Sequence, residues 1–180
     1  MLFLGIDPGK DGGLVLLKQD GSIARKWKTP LIKSTKVKDE YDLPAIRDIM
    51  QTCSSSGERL MIVLEKTQPL PPKMGGSAAN YQRGLAFGIY QAMCVGMGLS
   101  YTVVSPRTWQ KVMFVNVNTE DTKAASALVA KRLWPKENWR KSERAQKDDD
   151  GFTDGALIGE YGRRSLNAQT ALIAEQAGVI

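Results

Sequence analysis

The pattern of apolar and polar residues over the first 30 positions is that of short strands joined by tight turns. An apolar run over residues 2–7 ends in a Pro-Gly pair, which is typical of a buried central strand. Apolar residues 14–17 predict a second strand, and the alternation over 22–28 predicts a third that is half exposed. Asp20 and Gly21 between them are a typical hairpin turn. We therefore expect three strands connected by two consecutive hairpins.

The apolar spacing then changes to that of helices and isolated strands. Leu43, Ile46 and Cys53 lie at helical spacing, and a serine-rich stretch ends the predicted helix. The other predicted elements are a strand over 60–64, a helix from about 78 to 97, a strand over 101–104, a short helix starting at Ser105 and Pro106, a helix that begins near Asn118 and stops at Pro135, and a last helix from about 150 to 164 with a weaker helical tail.

This order of elements predicts the fold class. Strands joined by hairpins are antiparallel, whereas strands separated by helices are normally parallel through right-handed crossovers. We expect an α/β fold with a mixed five-stranded sheet whose first three strands are antiparallel and whose faces are flanked by helices. No internal repeat or linker divides the 180 residues, so the prediction is one domain over 1–180.

The composition limits the chemistry that this fold can perform. The chain contains no histidine, which excludes Ser/His/Asp triads, imidazole bases and histidine-bearing zinc sites. The net charge of +6 favours a polyanionic partner such as nucleic acid. Two cysteines without a CxxC unit indicate a reducing compartment. No apolar run fits a secretory signal or a membrane span, so we expect a cytoplasmic protein without membrane contact.

Carboxylates follow two of the predicted central strands. Asp7 closes the first strand and Glu65 closes the fourth. Because the carboxyl ends of parallel neighbours meet at one edge of an α/β sheet, where such sheets generally hold ligands, we expect these two side chains to be adjacent. Simpler interpretations are that Asp7 only forms a turn and that Glu65 pairs with a surface lysine.

A third acidic feature opens the last predicted helix. Asp150 and Asp154 are four residues apart and project from one helical face. Carboxylates held together raise each other's pKa unless a cation compensates them, and their oxygens suit Mg²⁺ or Mn²⁺. Two such ions about 4 Å apart can hydrolyse a phosphodiester without histidine. The alternative is a solvated acidic run over 148–150 that caps the helix.

Two segments are rich in basic residues. Lysine and arginine neutralise phosphates and release counterions, so both segments are candidate nucleic-acid contacts, with a merely soluble charged surface as the alternative. The segments contain Arg25, Lys26, Lys28, Lys33, Lys36 and Lys38, and Arg140, Lys141, Arg144 and Lys147. The tryptophans are better explained by packing than by base stacking; they are Trp27, Trp109, Trp134 and Trp139.

The long predicted helix carries small residues at every fourth position. Gly84, Gly88, Ala92 and Gly96 form one smooth face that another backbone can approach closely. We call this face the small-residue stripe. It favours packing of the helix on its own sheet, and self-association is the alternative.

Four motifs in this order resemble RuvC-type Holliday junction resolvases, of the small kind common in bacteriophages, within the RNase H-like superfamily. The resemblance spans nearly the whole chain, and only the combination of motifs is specific. The motifs are Gly5-Ile6-Asp7-Pro8-Gly9, Val63-Leu64-Glu65, Ser105-Pro106-Arg107-Thr108-Trp109-Gln110-Lys111 and Asp150-Gly151-Phe152-Thr153-Asp154-Gly155-Ala156.

The resemblance implies a magnesium-dependent endodeoxyribonuclease that cuts two opposed strands of a four-way DNA junction inside a bacterial host cell. It implies that Asp7 bridges two Mg²⁺ ions, for which Mn²⁺ can substitute. It also implies that Glu65, Asp150 and Asp154 complete the catalytic, metal-binding shell. Lys111 and Lys123 would contact phosphates, and the small-residue stripe would form a homodimer interface.

Two departures from the family pattern affect these expectations. The familiar bacterial members space the last two acids three apart, but Gly151 occupies that position here, so Asp150 substitutes from one step earlier and Asp149 competes with it. Those members also stack an aromatic side chain on bases from the loop after the glutamate, and this chain has no aromatic there before Tyr81. Phosphodiester cleavage is therefore better supported than junction selectivity.

Other functions remain as alternatives. The main one is an RNase H-like nuclease that acts on RNA/DNA hybrid or on flap or forked DNA. The first motif also resembles a phosphate loop of sugar kinases and actin-like ATPases, but those proteins need two such domains and this length supplies one. A binding module without catalysis would not require all four acids.

Overall fold

The computed structural model describes residues 1–35, 39–71, 73 and 76–176. In chain order the elements are β1 (Leu2–Asp7), β2 (Gly13–Lys18), β3 (Ile23–Lys28), β4 (Leu31–Ile32), β5 (Glu40–Tyr41), α1 (Leu43–Ser54), β6 (Leu60–Glu65), α2 (Ser77–Gly96), β7 (Tyr101–Val104), α3 (Pro106–Met113), α4 (Thr122–Leu133) and α5 (Asp150–Gln176).

Five strands form one mixed sheet in the order β3-β2-β1-β6-β7. The two hairpins make β1, β2 and β3 antiparallel, whereas β6 runs parallel to both β1 and β7. The predicted fold class is confirmed, including the antiparallel arrangement of the first three strands. Ile6 pairs with Leu64 and Glu65 pairs with Val104, so the three parallel strands end at the same edge of the sheet.

Alternate residues of the strands pack into two helical layers. On one face, Leu4 and Ile6 join a core with Ile46 of α1 and Tyr90 of α2. On the other face, Phe3 packs into a core that includes Ala156 of α5. Both layers therefore reach the strands that end in Asp7 and Glu65, and the cores hold those strand ends in place.

The helix α5 lies directly on the backbone of the first two strands. A β-carbon added at Gly5 would lie 2.0 Å from the carbonyl oxygen of Gly155, and one added at Gly13 would lie 2.7 Å from that of Gly151. Only glycine permits such a close approach of backbones. We call the contact made by Gly5, Gly13, Gly151, Gly155 and Gly159 the glycine seam. The seam fixes the first turns of α5, which carry Asp154, against the strand that carries Asp7.

Two elements differ from the sequence-based predictions. The first basic segment contains β4, a strand that was not predicted, which pairs with the equally unpredicted β5 in a separate two-stranded sheet. The basic residues Lys36 and Lys38 lie outside the described residues. The segment predicted as a weaker helical tail is the continuation of the last helix, which extends to Gln176 because residues 165–176 contain neither proline nor glycine.

The prediction that the small-residue stripe packs on the sheet is wrong. A β-carbon added at Gly84, Gly88 or Gly96 would meet no atom within 4 Å. Instead α2 buries the face that contains Ala86, Tyr90 and Cys94, whereas all four stripe residues are exposed. Self-association through the stripe stays a prediction.

The positions of the cysteines and of two tryptophans can be compared with what the composition predicted. Cys53 and Cys94 are both buried free thiols. Trp109 and Trp139 are buried, as expected for packing residues. In the ranges that the structure covers, no helix has the length and apolar character needed to cross a bilayer.

Candidate metal centre and nucleic-acid interface

The carboxyl ends of β1 and β6 open into a cleft of about 440 Å³. Residues of α2, α4 and α5 form its other walls. All four acids that the sequence singled out line this cleft, which we call the carboxylate cleft; they are Asp7, Glu65, Asp150 and Asp154. The sequence-based expectation that Asp7 and Glu65 lie together is therefore confirmed, as is the approach of the last helix to them.

Three of these carboxyls have perturbed pKa values. Burial is the main cause in each case, since an apolar environment disfavours the charged form. It raises the pKa of Asp7, that of Glu65 to about 8 and that of Asp154 to about 7. The negative charge of Asp7 is the second cause for both Glu65 and Asp154. The three groups thus interact electrostatically across one buried site.

Asp154 has an oxygen without a partner. Its Oδ1 is buried and makes no hydrogen bond to any residue that the structure describes. The nearby Ser126 hydroxyl lowers the pKa of Asp154, but the pair does not reach hydrogen-bond geometry, so Ser126 Oγ is unpartnered as well. A buried, unpartnered carboxylate oxygen is costly and indicates a missing cationic or hydrogen-bonding ligand.

Glu65 and Asp7 are each oriented by the surrounding chain. The indole Nε1 of the buried Trp109 donates a hydrogen bond of 2.9 Å to Glu65 Oε1. The backbone N–H of Gly9 donates a longer one of 3.4 Å to Asp7 Oδ1. Sequence reasoning assigned Trp109 to packing only and missed this positioning role. Its place in the motif after the fifth strand of the sheet was the available signal.

The two neighbouring acids at the start of α5 have different environments. Asp149 accepts a hydrogen bond from the N–H of Phe152 at 3.2 Å and pairs with Lys28 at 2.7 Å, so it caps the helix. Asp150 lines the cleft and pairs with Lys123 at 2.7 Å, with 46% of its side chain exposed. Of the two competitors, Asp150 lines the carboxylate cleft and raises the pKa of Asp154, whereas Asp149 raises that of Asp7 from outside the cleft lining.

The residues of the cleft fit a hard divalent cation. Among the described residues, no three acids or thiols are already spaced as ligands of one ion. However, the acidic donors are all carboxylates, one of their oxygens is unpartnered, and burial and mutual repulsion raise their pKa values. A divalent cation would provide a partner for the free oxygen and would reduce the repulsion among the carboxylates. Asp7, Glu65 and Asp154 are the residues that would hold it, with Asp150 at the rim.

The described basic residues of the first segment each contact another residue of the protein. Lys26 pairs with Glu137, Lys28 with Asp149 and Lys33 with Asp39. The guanidinium of Arg25 lies 5.2 Å from the ring centre of Trp27. These residues are therefore less available to a polyanion than their sequence suggested.

The second predicted basic segment is exposed. Lys141 and Lys147 line a cleft of about 380 Å³ that shares Asp11 and Asp150 with the carboxylate cleft. Neither these two lysines nor Arg140 and Arg144 form an ion pair within the described part of the chain. Lys111 is exposed and lines a third cleft beside Arg107, of about 310 Å³.

Comparison with solved structures shows which known fold this chain shares. The T. thermophilus RuvC in complex with Holliday junction substrate is 13% identical, with 89% of this chain and 92% of that chain covered and a TM-score of 0.57. A second Thermus thermophilus RuvC structure is 16% identical, with 92% and 96% covered and a TM-score of 0.58. No family model and no curated protein matches the chain.

At these identities the likeness concerns architecture. The chain has the RNase H-like α/β fold of RuvC. The comparison supports the resemblance inferred from the four motifs at that level, and it gives no support for a bacteriophage origin.

Proposed function

We propose that this protein is a divalent-metal-dependent endodeoxyribonuclease that resolves four-way or otherwise branched DNA junctions. The observation that carries the proposal is the convergence of three half-buried, mutually repelling carboxyls, one with a buried, unpartnered oxygen, at the carboxyl edge of a RuvC-like sheet. A solved neighbour with this fold is described in complex with a Holliday junction substrate, which supports the choice of substrate class.

The proposed catalytic residues are Asp7, Glu65, Asp150 and Asp154. Two Mg²⁺ or Mn²⁺ ions held there would supply an activated water and stabilise the departing oxygen of a phosphodiester. The protein contributes the fixed orientation of its carboxylates, through the Trp109 indole on Glu65 and the glycine seam beneath α5. It also contributes burial, which strengthens their attraction to a cation.

The proposed DNA contacts lie beside the cleft. Lys123 lines the carboxylate cleft, Lys141 and Lys147 line a cleft that shares Asp150 with it, and Lys111 lines a separate cleft beside Arg107; cations at these positions would neutralise substrate phosphates. Cutting two opposed strands requires two catalytic centres, so we propose a homodimer. The exposed small-residue stripe of α2 is the surface proposed for it.

Cleavage of a substrate panel tests the proposal. Four-way junction, fork, linear duplex and RNA/DNA hybrid would be incubated with Mg²⁺, with Mn²⁺ and with a chelator. We expect paired, metal-dependent nicks in the junction. Asp154→Asn and Glu65→Gln should reduce the rate by at least about 100-fold while DNA binding persists. Asp48→Asn, which neutralises an exposed carboxylate on α1, should have no effect.

Distinct results would overturn distinct parts of the proposal. Preferential cleavage of hybrid, or of forked DNA, would replace the junction assignment by the alternative RNase H-like or flap activity. Full activity of both Asp154→Asn and Glu65→Gln would show that the metal site is misplaced. Absence of any metal-dependent cleavage or DNA binding would overturn the nuclease function itself.

A further inference from the structure

Arg83 is a basic residue in the carboxylate cleft that the sequence patterns did not single out. It lies on α2 and lines the cleft together with Asp7 and Glu65. Its guanidinium Nε donates a hydrogen bond of 3.0 Å to the carbonyl oxygen of Gln68. The loop after β6 thereby holds the guanidinium at the rim of the cleft through a neutral group.

The same loop is attached to α2 at further points. Thr67 Oγ1 donates to the backbone carbonyl of Arg83 at 3.2 Å. The Asn80 amide accepts a hydrogen bond from Leu70 N–H at 2.8 Å and donates one to the Leu70 carbonyl at 3.2 Å. These contacts restrict the position of Arg83 before any ligand arrives, which reduces the entropy that a bound partner must otherwise offset.

The charge of Arg83 is not neutralised by an acid in contact with it. Its two terminal nitrogens make no hydrogen bond or ion pair with any residue in the described ranges. Its charge nevertheless lowers the pKa of both Asp7 and Glu65. In contrast, Lys123 in the same cleft is paired with Asp150, and Lys10 donates to the carbonyl of Asp39.

We propose that Arg83 contacts a phosphate of the DNA strand bound in the carboxylate cleft. The inference rests on the proposed nuclease function and assigns to it a residue that binds the substrate. A guanidinium whose Nε is already fixed presents its terminal N–H groups as donors, and arginine suits phosphate because its planar fork matches two phosphate oxygens. An acidic cleft repels a polyanion, and a cation near both Asp7 and Glu65 offsets that repulsion at the point where the strand enters.

Binding to chemically altered junctions tests this contact. In an Asp154→Asn background, which keeps the substrate intact, Arg83→Ala should weaken junction binding about 10- to 100-fold. Replacing one charged phosphate near the cleavage position by a neutral methylphosphonate should weaken the Arg83-containing protein similarly. The same replacement should cost the Arg83→Ala protein almost nothing, because the two changes remove the same interaction.

Matched variants separate this contact from general charge and from loop structure. Arg59→Ala removes an exposed arginine at the opposite end of β6 and should leave methylphosphonate sensitivity unchanged. Asn80→Ala loosens the loop but keeps the cation, so it should preserve that sensitivity.

Arg83→Lys keeps the charge without the fork and should recover part of the affinity. Arg83→Ala should also reduce the salt dependence of binding by about one phosphate contact.

Two outcomes are informative in opposite ways. Suppose that the wild-type protein cleaves junctions, and that Arg83→Ala weakens binding by the same factor wherever the methylphosphonate is placed. Arg83 then has no specific phosphate contact, and this inference is overturned while the nuclease function stands. If the wild-type protein neither binds nor cleaves branched DNA, the proposed function fails and this inference fails with it.

Discussion

Two carboxylates of α5, the half-buried Asp154 and the buried Glu160, lie within two helical turns of each other and have very different partners. Glu160 accepts hydrogen bonds from Arg163 at 2.7 and 2.8 Å and from Arg164 at 2.7 Å. Burial alone would raise its pKa, but these bonds outweigh burial and lower it. Asp154 has an unpartnered oxygen and a pKa raised to about 7, mainly by burial.

The difference lies in charge compensation: two arginines supply it for Glu160, and no hydrogen-bonded cation supplies it for Asp154 in the described residues. Arg163 also donates to the carbonyl of Gln19 at 3.3 Å, so the Glu160 cluster ties α5 to the turn between β2 and β3. Its compensating charge is supplied by the protein. Asp154 Oδ1 has no such partner in the described residues, and the charge of Lys123 lowers the pKa of Asp154 by less than burial and the charge of Asp7 raise it.

The largest expected effect comes from breaking the compensated cluster. Glu160→Gln keeps the shape of the side chain but leaves Arg163 without its charged partner, so we expect a loss of about 3 kcal/mol in the free energy of unfolding, measured by denaturant titration. Asp48→Asn breaks the exposed Arg47–Asp48 pair and should cost less than about 1 kcal/mol. Equal losses in the two variants would contradict the contrast between internal and external compensation.

A slightly smaller effect is expected when Mg²⁺ or Mn²⁺ is added to the protein. At Mg²⁺ or Mn²⁺ concentrations about 100 times the dissociation constant, the wild-type protein should gain about 2.7 kcal/mol of stability, measured as a shift of the thermal or denaturant midpoint. Glu160→Gln should keep this gain because its site is separate, whereas Asp154→Asn should lose most of it. A gain that is the same in all three proteins would place the bound ions elsewhere.

The smallest expected effect is on the metal-free protein as pH changes. Native Asp154 titrates at about 7, above its ordinary value of 3.8, and Glu65 at about 8, above 4.5. The native state therefore binds more protons than the unfolded state in this window, so stability falls as pH rises from about 4 to about 8. Asp154→Asn should flatten this fall and be more stable than wild type by about 1–2 kcal/mol at pH 8, in chelator. A wild-type protein whose stability rises over this range would refute it.

Glu160 makes the stability depend on pH in the opposite direction. Its lowered pKa means that its contribution is fully present above its ordinary value of 4.5 and is lost as pH falls through its native pKa. The acid limb of the stability profile should therefore become smaller in Glu160→Gln, and the lowered pKa values of Asp20 and Asp39 should preserve the rest of it. The limb near neutral pH should remain, because it belongs to Asp154 and Glu65.

Strand ends were predictable from the sequence because an unbroken apolar run followed by an acid has few other interpretations in an α/β protein. Asp7 and Glu65 were placed correctly on that basis, and the spacing of Asp150 and Asp154 placed the third element. Trp109 and Arg83 were missed as site residues because their roles depend on partners about 44 and 15 positions away in the chain, Glu65 and Gln68. No local pattern records such contacts.

The orientation of α2 shows why periodicity alone was insufficient. The small-residue stripe repeats every four residues, but Ala86, Tyr90 and Cys94 repeat with the same period on another face of the same helix. Spacing cannot decide between two faces with one period. Burial of the larger Tyr90 side chain decided it, since removing apolar surface from water is the stronger driving force. The two-residue strands β4 and β5 were likewise too short to show any period.

The glycine seam determines which substitutions the protein can accept during evolution. The spacing between the strand that bears Asp7 and the helix that bears Asp154 is set by main-chain atoms in contact, without intervening side chains. Neighbouring core positions can therefore exchange one hydrophobic residue for another without moving the acids relative to each other. A single added methyl group at Gly5 would instead push strand and helix apart, and Asp7 and Asp154 would move away from each other.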